Sequence, residues 1–303
     1  MKLVKFPKRV TVELTNSCNL LCRFCPSNYL KKVPWGFMEE ALFKRVIDEV
    51  AGEKNVTVVP FFRGEPLLHP KFNELMDYVK LKKIKSVQIA TNATLLNDEV
   101  SKKILDSSIS FISFSLDAPD KKTYEALRIN SDYEDVINNV ESFINSRNSL
   151  RKKLPIIQVS AVKTAENKNL VKNFIDRWIG LVDRVRIYKE HSQGGKFGVI
   201  KGEKNKVGKR KPCKKLFEDI VIYWDGKVAI CNHDWNRVKF LGDASKDSIR
   251  DIWDSDLYRK EREKQLTLLF DKDDICKSCS HWESFYTKKG LIGEVYSKKD
   301  SKK

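Results

Sequence analysis

Short apolar runs alternate with amphipathic stretches through the first two-thirds of the sequence. The apolar runs predict six strands: Arg9–Leu14, Val56–Phe62, Ser86–Ala90, Ser110–Leu116, Pro155–Val162 and Arg184–Tyr188. Helical spacing between them predicts five helices: Glu39–Ala51, Lys71–Leu81, Asp98–Leu105, Tyr133–Ser146 and Asn167–Trp178. This alternation indicates an α/β fold with a mostly parallel sheet and right-handed crossovers. Because a closed barrel needs eight such units, we predict an open, partial (β/α)6 TIM barrel.

The composition changes near Gly194, where glycines and then a lysine-rich stretch to Lys215 indicate an exposed connection. We therefore divide the chain into residues 1–200, which form the barrel, and residues 201–303, which form a smaller domain with a basic tail. In the second part, Phe217–Trp224 and Lys227–Ile230 predict a β-hairpin with a two-residue turn. Ser248–Gln265 predicts one helix.

Composition narrows the class of protein. The 303 residues are 41% hydrophobic, which is enough for a globular core. No apolar run is long enough to cross a membrane, and the N-terminus lacks the apolar stretch of a secretory signal, so we expect a cytoplasmic protein. The net charge of +17 can attract nucleic acid. Because the lysines are scattered, we interpret that charge mainly as solvated surface.

Seven cysteines fall into two groups, and a cytoplasmic protein seldom uses cysteines for disulfides. The first group, Cys18, Cys22 and Cys25, has the spacing C-x3-C-x2-C. That spacing suits one face of a helix, but the neighbouring asparagines and Pro26 favour a loop that follows the first strand. Three thiolates on a loop can hold an iron–sulfur cube with one iron left open, whereas structural zinc prefers four ligands.

The motif C-x3-C-x-aromatic-C, in which the aromatic residue is Phe24, resembles the signature of the radical S-adenosylmethionine (SAM) superfamily. The resemblance implies that the three cysteines ligate a [4Fe–4S] cluster whose open iron binds the amino and carboxylate groups of SAM. It also implies the reaction. The reduced cluster passes an electron to the sulfonium, and the 5′-deoxyadenosyl radical takes a hydrogen atom from a substrate.

Four further segments within residues 9–128 match the superfamily in order. Residues 61–70 resemble its Gly-Gly-Glu-Pro segment, with Arg63 in place of the first glycine. In this segment a glycine permits close backbone approach and a glutamate can pair with an ammonium group. The other segments resemble the third-strand Thr-Asn-Gly, the end of the fourth strand and the helix after it. The resemblance implies that the following residues bind SAM: Phe24, Gly64, Glu65, Asn92, Ser115, Asp117 and Arg128.

Two of these residues also depend on a strand interpretation. Ser115 and Asp117 are two positions apart at the end of a predicted strand, so alternation points them the same way. The resemblance assigns them to the ribose hydroxyls and the amino group of SAM, and it assigns Arg128 to the SAM carboxylate.

The second group of cysteines comprises Cys213, Cys231, Cys276 and Cys279. Four thiolates suit a structural zinc site, and they also suit an auxiliary [4Fe–4S] cluster with every iron ligated. The surrounding segments resemble the SPASM/twitch extension of radical SAM enzymes. Four cysteines match its shorter, twitch-like form, which includes enzymes that oxidise or dehydrate an aminocyclitol or amino sugar. The resemblance therefore implies two clusters in this chain.

We predict a radical SAM oxidoreductase that oxidises or dehydrates a sugar- or cyclitol-like alcohol, with the auxiliary cluster as electron acceptor. The expected partners are a small-molecule substrate and a reductant such as flavodoxin or ferredoxin, with no membrane. Peptide maturases usually carry two auxiliary clusters and a leader-binding domain, and only 17 residues precede Cys18, so a peptide substrate is disfavoured.

Two residues near the end of the barrel are candidates for the substrate site. His191 and Lys196 follow the sixth strand, where barrel loops face the active site, and either can serve as a base or a substrate contact. Two other classes of function stay open. An RNA-modifying or RNA-binding protein would show affinity that falls steeply with salt. A non-catalytic iron–sulfur or zinc scaffold would not cleave SAM.

Overall fold

The computed structural model describes residues 1–30, 33–189, 209–286 and 293–297. Six strands of the first part pair in parallel and alternate with helices, as the sequence predicts. The strands are β1 (Arg9–Val12), β2 (Thr57–Val59), β3 (Val87–Thr91), β4 (Ile109–Ser115), β5 (Ile156–Lys163) and β6 (Arg184–Lys189). The helices are α1 (Glu40–Ala51), α2 (Phe72–Leu81), α3 (Asp98–Asp106), α4 (Lys121–Leu127), α5 (Tyr133–Ser149) and α6 (Val171–Trp178).

The second part of the chain extends the same sheet. Its strands are β7 (Asp219–Ile222), β8 (Lys227–Ala229), β9 (Phe240–Asp243) and β10 (Glu294–Tyr296). Strand β7 pairs in parallel with β1, and β8 and β9 follow in antiparallel order, while β10 pairs antiparallel with β6. The helices here are α7 (Lys215–Glu218), α8 (Ile249–Trp253), α9 (Asp256–Thr267) and α10 (Ile275–Ser278). The predicted partial barrel is confirmed, and the described strands form one open sheet in the order β10-β6-β5-β4-β3-β2-β1-β7-β8-β9.

The two faces of the barrel strands differ in chemistry because successive side chains point to opposite sides. One face carries apolar residues that pack under the helices, among them Val10, Ile89 and Phe114. The other face carries buried polar residues, where Gln158 donates to Ser113 and Ser113 contacts the Ser160 hydroxyl. Apolar burial against the helices stabilises the sheet, and the polar face lines the inside of the barrel.

Two sequence predictions about the second part are wrong in detail. The predicted single helix Ser248–Gln265 is two helices, because Ser255 adopts an extended conformation and caps α9 through the Tyr258 amide. The predicted two-residue hairpin turn has three residues, because the Tyr223 amide donates to the Lys227 carbonyl. Gly226 lies in the left-handed region (φ 86°), which this three-residue turn requires. The first strand of the hairpin also begins later than predicted, since residues 215–218 form α7.

Smaller differences concern element ends. The predicted helix Asn167–Trp178 begins with a short 3₁₀ turn, and α6 starts at Val171. Asn97 caps α3 as its position suggests, with its side chain accepting from the Val100 amide at 2.9 Å. No helix in the described ranges is long and apolar enough to span a membrane.

Candidate active site

The first cysteine group lies on a loop, as the sequence predicts. This loop leaves β1, carries Cys18, Cys22 and Cys25, and ends in a 3₁₀ turn at Pro26–Tyr29. Backbone amides of the loop donate to carbonyls at the end of α4, including Arg23 to Leu127 at 3.0 Å. The loop is therefore anchored across the carboxyl ends of the parallel strands, where an α/β sheet positions its ligands.

The three thiols of this loop influence one another. Burial raises the pKa of Cys22 to about 12, and the charges of Cys25 and Cys18 add to that rise. Burial also raises the pKa of Cys18. Two side chains donate toward the sulfurs: Asn92 lies 3.9 Å from Cys18 Sγ, and Arg128 lies 3.8 Å from Cys22 Sγ. Such donors stabilise thiolates bound to iron, so the donor set and its neighbours fit a cluster.

Residues 61–65 pack directly on this cysteine loop, and we call them the SAM-contact loop after the role that the family resemblance implies. Gly64 is required there, because an added Cβ would stand 2.4 Å from the Ser17 carbonyl oxygen and 2.5 Å from that of Thr15. The Glu65 amide donates to the Ser17 carbonyl at 2.9 Å. The absence of a side chain at Gly64 therefore allows the two loops to pack closely.

Glu65 is buried and fully engaged. Its carboxylate accepts from the Thr91 hydroxyl at 2.7 Å and from the amides of Asn92 at 2.7 Å and Leu67 at 3.2 Å. Burial nonetheless raises the pKa of Glu65 to about 7, since removing a carboxylate from water costs more than these donors return. A ligand cation placed beside it would favour the ionised form.

The raised pKa of Glu65 predicts a pH-dependent stability. The folded pKa is about 7 and the ordinary value is 4.5, so the folded chain keeps this proton to higher pH than the unfolded chain. The contribution of Glu65 to the free energy of unfolding is then greatest below pH 4.5 and falls as pH rises to about 7. The fall corresponds to roughly 3 kcal/mol. In Glu65→Gln, which cannot ionise, it should be absent. Urea unfolding of the metal-free protein at about pH 5 and about pH 8 measures this difference.

The matched control for this prediction is Glu166→Gln, because Glu166 is exposed. That variant should show the same pH dependence as the parent chain. An equal fall in the parent and in Glu65→Gln would mean that Glu65 is already ionised at low pH in the folded state, and the prediction would be wrong.

Asp117 and Arg128 form a buried ion pair beside Cys22. The Asp117 carboxylate accepts from Arg128 Nε at 2.6 Å and from the Val162 amide at 2.6 Å. Although burial alone would lower it, the negative charge of Asp117 raises the pKa of Arg128. The Arg128 guanidinium also lies 5.9 Å from the centre of the Phe24 ring. Both oxygens of Asp117 therefore already have protein donors, and the pair ties the fourth strand end to the cysteine loop.

The strand argument for Ser115 and Asp117 needs a correction. Ser115 is the last residue of β4, whereas Asp117 lies beyond the strand with φ 59°, in the left-handed region. Strand alternation does not extend to such a residue. Asn167 holds this unusual turn by donating from Nδ2 to the Asp117 carbonyl at 2.7 Å.

The structure also shows residues that the sequence analysis did not assign. Asn19 accepts from Asn92 Nδ2 at 2.9 Å and so orders the side chain that reaches Cys18. Asn28 donates to the Cys22 carbonyl at 2.7 Å and braces the cysteine loop. Glu13 is fully buried in an ion pair with Arg63. In the sequence, Glu13 is a charged residue inside the apolar run Arg9–Leu14. That position was the available sign that Glu13 has a buried partner.

The second cysteine group also comes together in space. Cys231 follows β8, Cys276 lies in α10 and Cys279 ends that helix. Burial raises the pKa of Cys213 to about 11 and of Cys276 to about 12. Each of these thiols is also affected by the charge of Cys279, and Cys231 is affected by the other three. The four thiols therefore lie near one another.

The donor set of this second site fits two kinds of metal centre. Four neighbouring thiols can give one thiolate to each iron of a [4Fe–4S] cube, and they can also ligate one zinc ion.

Two Cys-x-His turns flank this second site. The His233 amide lies 3.3 Å from Cys231 Sγ, and the His281 amide lies 3.4 Å from Cys279 Sγ, each as a donor. The two histidine rings lie against each other with centroids 4.1 Å apart. Each turn therefore supplies a backbone donor to a cysteine sulfur of this second site.

The candidate substrate contacts and the histidine of residues 61–70 differ in what the structure describes. His191 and Lys196 lie outside the described residues. His69 is buried, with Nε2 2.9 Å from the Met38 carbonyl and Nδ1 accepting from the Lys71 amide. His69 thus serves the local structure of the turn that leads into α2.

Two known protein families match this chain, and each match contains one of the two groups of cysteines. Residues 12–149 match the family described as the radical SAM superfamily, and residues 213–280 match SPASM, described as an iron–sulfur cluster-binding domain. The chain therefore carries a radical SAM domain, followed in its C-terminal part by a SPASM iron–sulfur cluster-binding domain. The predicted family is confirmed, and so are its cofactors, since these domains imply [4Fe–4S] clusters and SAM.

Individual relatives cover different parts of the chain. The tungsten-containing aldehyde ferredoxin oxidoreductase cofactor-modifying protein of Pyrococcus furiosus is 32% identical over 111 residues, which are 36% of this chain and 31% of that protein. The chain matches only about a third of the length of its first curated relatives.

Solved structures match more of the chain. Streptococcus suis SuiB bound to precursor peptide SuiA has a TM-score of 0.69 and 17% identity, covering 98% of this chain and 76% of SuiB. BtrN in complex with AdoMet and 2-DOIA has a TM-score of 0.58 and 16% identity, covering 88% of each chain. At these identities the likeness shows the fold.

Proposed function

We propose that this chain cleaves SAM reductively and uses the 5′-deoxyadenosyl radical to take a hydrogen atom from a carbon of its substrate. The observation that carries the proposal is the grouping of the first three thiols beside Glu65, Asn92 and Arg128 at the carboxyl ends of the strands. When bound, the first cluster supplies the electron for this cleavage and the second accepts one from the substrate. The chain's own residues do the rest.

The proposed roles of these residues follow from their contacts. Cys18, Cys22 and Cys25 hold the first cluster, and Asn92 and Arg128 stabilise two of its sulfurs by donating to them. In this proposal the residues that bind SAM are those named from the sequence: Phe24, Gly64, Glu65, Asn92, Ser115, Asp117 and Arg128. Cys213, Cys231, Cys276 and Cys279 hold the second cluster. His191 and Lys196 stay as proposed substrate contacts.

The proposed reaction is oxidation, or dehydration, of an alcohol carbon. In an oxidation, the radical would take the carbon-bound hydrogen atom and a base would take the hydroxyl proton. A cluster held by Cys213, Cys231, Cys276 and Cys279 would accept the remaining electron, which leaves a ketone. Support comes from the second group of thiols. All four cysteines lie near one another, so each iron of one cluster can have a cysteine ligand. No iron is then open to bind the substrate, and the cluster is free to act as an electron acceptor.

A small polar substrate is the first candidate. The inner face of the barrel presents short polar side chains, including Ser113, Gln158 and Ser160, which can hydrogen-bond a hydroxylated molecule. BtrN, whose solved complex holds AdoMet and 2-DOIA, shares the fold over most of its length. The coverage of SuiB, solved with its precursor peptide, favours a peptide as the second candidate.

We further propose that residues 1–200 perform SAM cleavage and residues 201–303 hold the auxiliary cluster. The cysteines support a reducing, cytoplasmic compartment, because all seven are free of disulfides. A reductant such as flavodoxin or ferredoxin would then supply the electron.

Anaerobic reconstitution tests the proposed function directly. The wild-type chain, loaded with iron and sulfide and given SAM and dithionite, should form methionine and 5′-deoxyadenosine in equal amounts. Liquid chromatography with mass spectrometry measures both. Candidate alcohols and peptides labelled with deuterium at carbon should transfer deuterium into 5′-deoxyadenosine when they are substrates. A fully loaded protein that leaves SAM intact would favour a non-catalytic scaffold.

A further inference from the structure

Arg63 occupies the place of a glycine in the segment that resembles Gly-Gly-Glu-Pro, and its side chain contacts the SPASM domain. Its guanidinium and the Glu13 carboxylate are both fully buried. Arg63 Nε and Nη2 donate to the two carboxylate oxygens at 2.6 and 2.7 Å. Arg63 Nη1 donates to the Trp235 carbonyl at 2.9 Å. One side chain thus joins β1, the SAM-contact loop and the SPASM domain.

The segment that receives this bond leads directly to a cluster ligand. We call residues 231–239 the auxiliary loop, because it begins at Cys231. Within it, the Asp234 amide donates to the Cys231 carbonyl at 3.1 Å, and the Asp234 carboxylate accepts from the amides of Val238 and Lys239. The Trp235 carbonyl that Arg63 holds is therefore part of the same compact turn as Cys231.

Aromatic contacts complete the connection. The Arg63 guanidinium stacks on the Tyr223 ring at 4.5 Å, and the Tyr223 hydroxyl donates to the Asp234 carbonyl at 2.6 Å. Phe62 lies against Trp235 with ring centroids 5.4 Å apart. Both residues 62 and 63 of the SAM-contact loop thus hold the auxiliary loop.

The opposite side of Arg63 connects to the first cysteine loop. The Arg63 carbonyl accepts from the Ser27 hydroxyl at 3.0 Å, and the next residue, Gly64, packs on the carbonyls of Ser17 and Thr15. Contacts of Arg63 therefore run continuously from the loop of Cys25 to the loop of Cys231.

A buried ion pair is a poor way to gain stability, because desolvation offsets most of the attraction and apolar replacements of similar size are often as stable. Bidentate geometry, by contrast, fixes orientation. We propose that Arg63 is a positioning residue that holds the auxiliary loop against the SAM-contact loop and so fixes the second cluster relative to SAM. This inference rests on the proposed function, since it presumes that both sites hold clusters.

The test replaces the pair while keeping the interior filled. Removing Arg63 alone would leave Glu13 buried without a partner, so the main variant is Glu13→Leu with Arg63→Met. Arg63→Lys is the second variant, because one ammonium cannot serve both Glu13 oxygens and the Trp235 carbonyl. The matched control is Arg262→Met. Arg262 is also buried in the SPASM domain, and the Leu216 and Trp253 carbonyls that accept its hydrogen bonds are outside residues 231–239.

Hydrogen exchange of the reconstituted, full-length protein measures the auxiliary loop. Amides of residues 232–239 should exchange about tenfold faster in the double variant and to a lesser extent in Arg63→Lys, since a hydrogen bond from a charged donor is lost. Amides in α5 should not change in either variant. In Arg262→Met, the auxiliary loop should exchange as in the parent chain.

Electron paramagnetic resonance of the reduced protein gives the second readout. Broadened signals are expected in the double variant, because the distance between the clusters is no longer fixed. A folded, iron-replete double variant with unchanged exchange and unchanged spectrum would overturn the inference. If the double variant fails to fold, Arg63→Lys decides by the same two measurements. Failure of the proposed function would appear separately, as SAM that the parent chain leaves intact. The exchange experiment does not depend on SAM cleavage, so the two failures are distinguishable.

Discussion

A variant with Cys18, Cys22 and Cys25 all changed to alanine is expected to lose SAM cleavage completely and to keep about half of its iron. The parent chain should bind about eight irons in two clusters, and the variant about four, because each [4Fe–4S] cluster depends on its own cysteines. Cleavage is lost because the first site alone leaves an iron without a protein ligand. Iron analysis and 5′-deoxyadenosine formation measure the two effects.

The control for this variant is Ser17→Ala, which lies in the same loop and leaves all three thiols in place. It should keep both iron and cleavage. Circular dichroism must show that the triple variant is folded. If that folded variant still releases 5′-deoxyadenosine, SAM is cleaved elsewhere, and the assignment of the first site is wrong. Stoichiometric zinc in the variant would instead show that the second site is structural.

A variant with Cys276 and Cys279 changed to alanine should lose oxidised product while 5′-deoxyadenosine still forms. The second site serves as electron acceptor in the proposed oxidation, so its loss leaves the substrate radical without a route for its electron. SAM cleavage needs only the first site and should continue, uncoupled from product. The ratio of product to 5′-deoxyadenosine should therefore fall toward zero, as measured with the alcohol that the labelling experiment identifies.

Ser278→Ala is the matched control, because Ser278 is exposed between the two cysteines and is not a ligand. It should keep the parent ratio. Loss of a cluster can unfold a small domain, so the cysteine variant must retain its secondary structure and about four irons. A well-folded variant that makes product at the parent rate would show that the second cluster is structural and that an oxidation relying on it is the wrong reaction.

The two groups of cysteines differ in how much the local sequence predicts about their sites. Cys18, Cys22 and Cys25 lie within eight residues of one another, so their spacing and the loop-forming residues between them already predict a shared site. Cys213, Cys231 and the pair at 276 and 279 are far apart in sequence. Their meeting depends on β7 and β8 continuing the barrel sheet next to β1, and no local pattern encodes that pairing.

The end of the fourth strand shows a second limit. Strand alternation predicts that Asp117 points the same way as Ser115, whereas the fold places Asp117 in a left-handed turn as the buried partner of Arg128. A period-of-two argument holds only while the backbone is extended. Arg63 likewise stands where the similar Gly-Gly-Glu-Pro segment has its first glycine. Only the tertiary structure shows that the Arg63 side chain reaches Glu13 and Trp235.

The sequence by itself determined the alternating strands and helices, the three-cysteine loop and the number of thiols available for two clusters. These features depend on local periodicity, turn-forming residues and spacing, which act over a few residues. The tertiary structure decided which long-range contacts form: the continuous ten-strand sheet of the described residues, the proximity of the last four cysteines, and the Arg63–Glu13 pair between the two sites. Such contacts depend on the pairing of buried charges and of strands that are distant in sequence. Local patterns of residues do not show which distant segments pair.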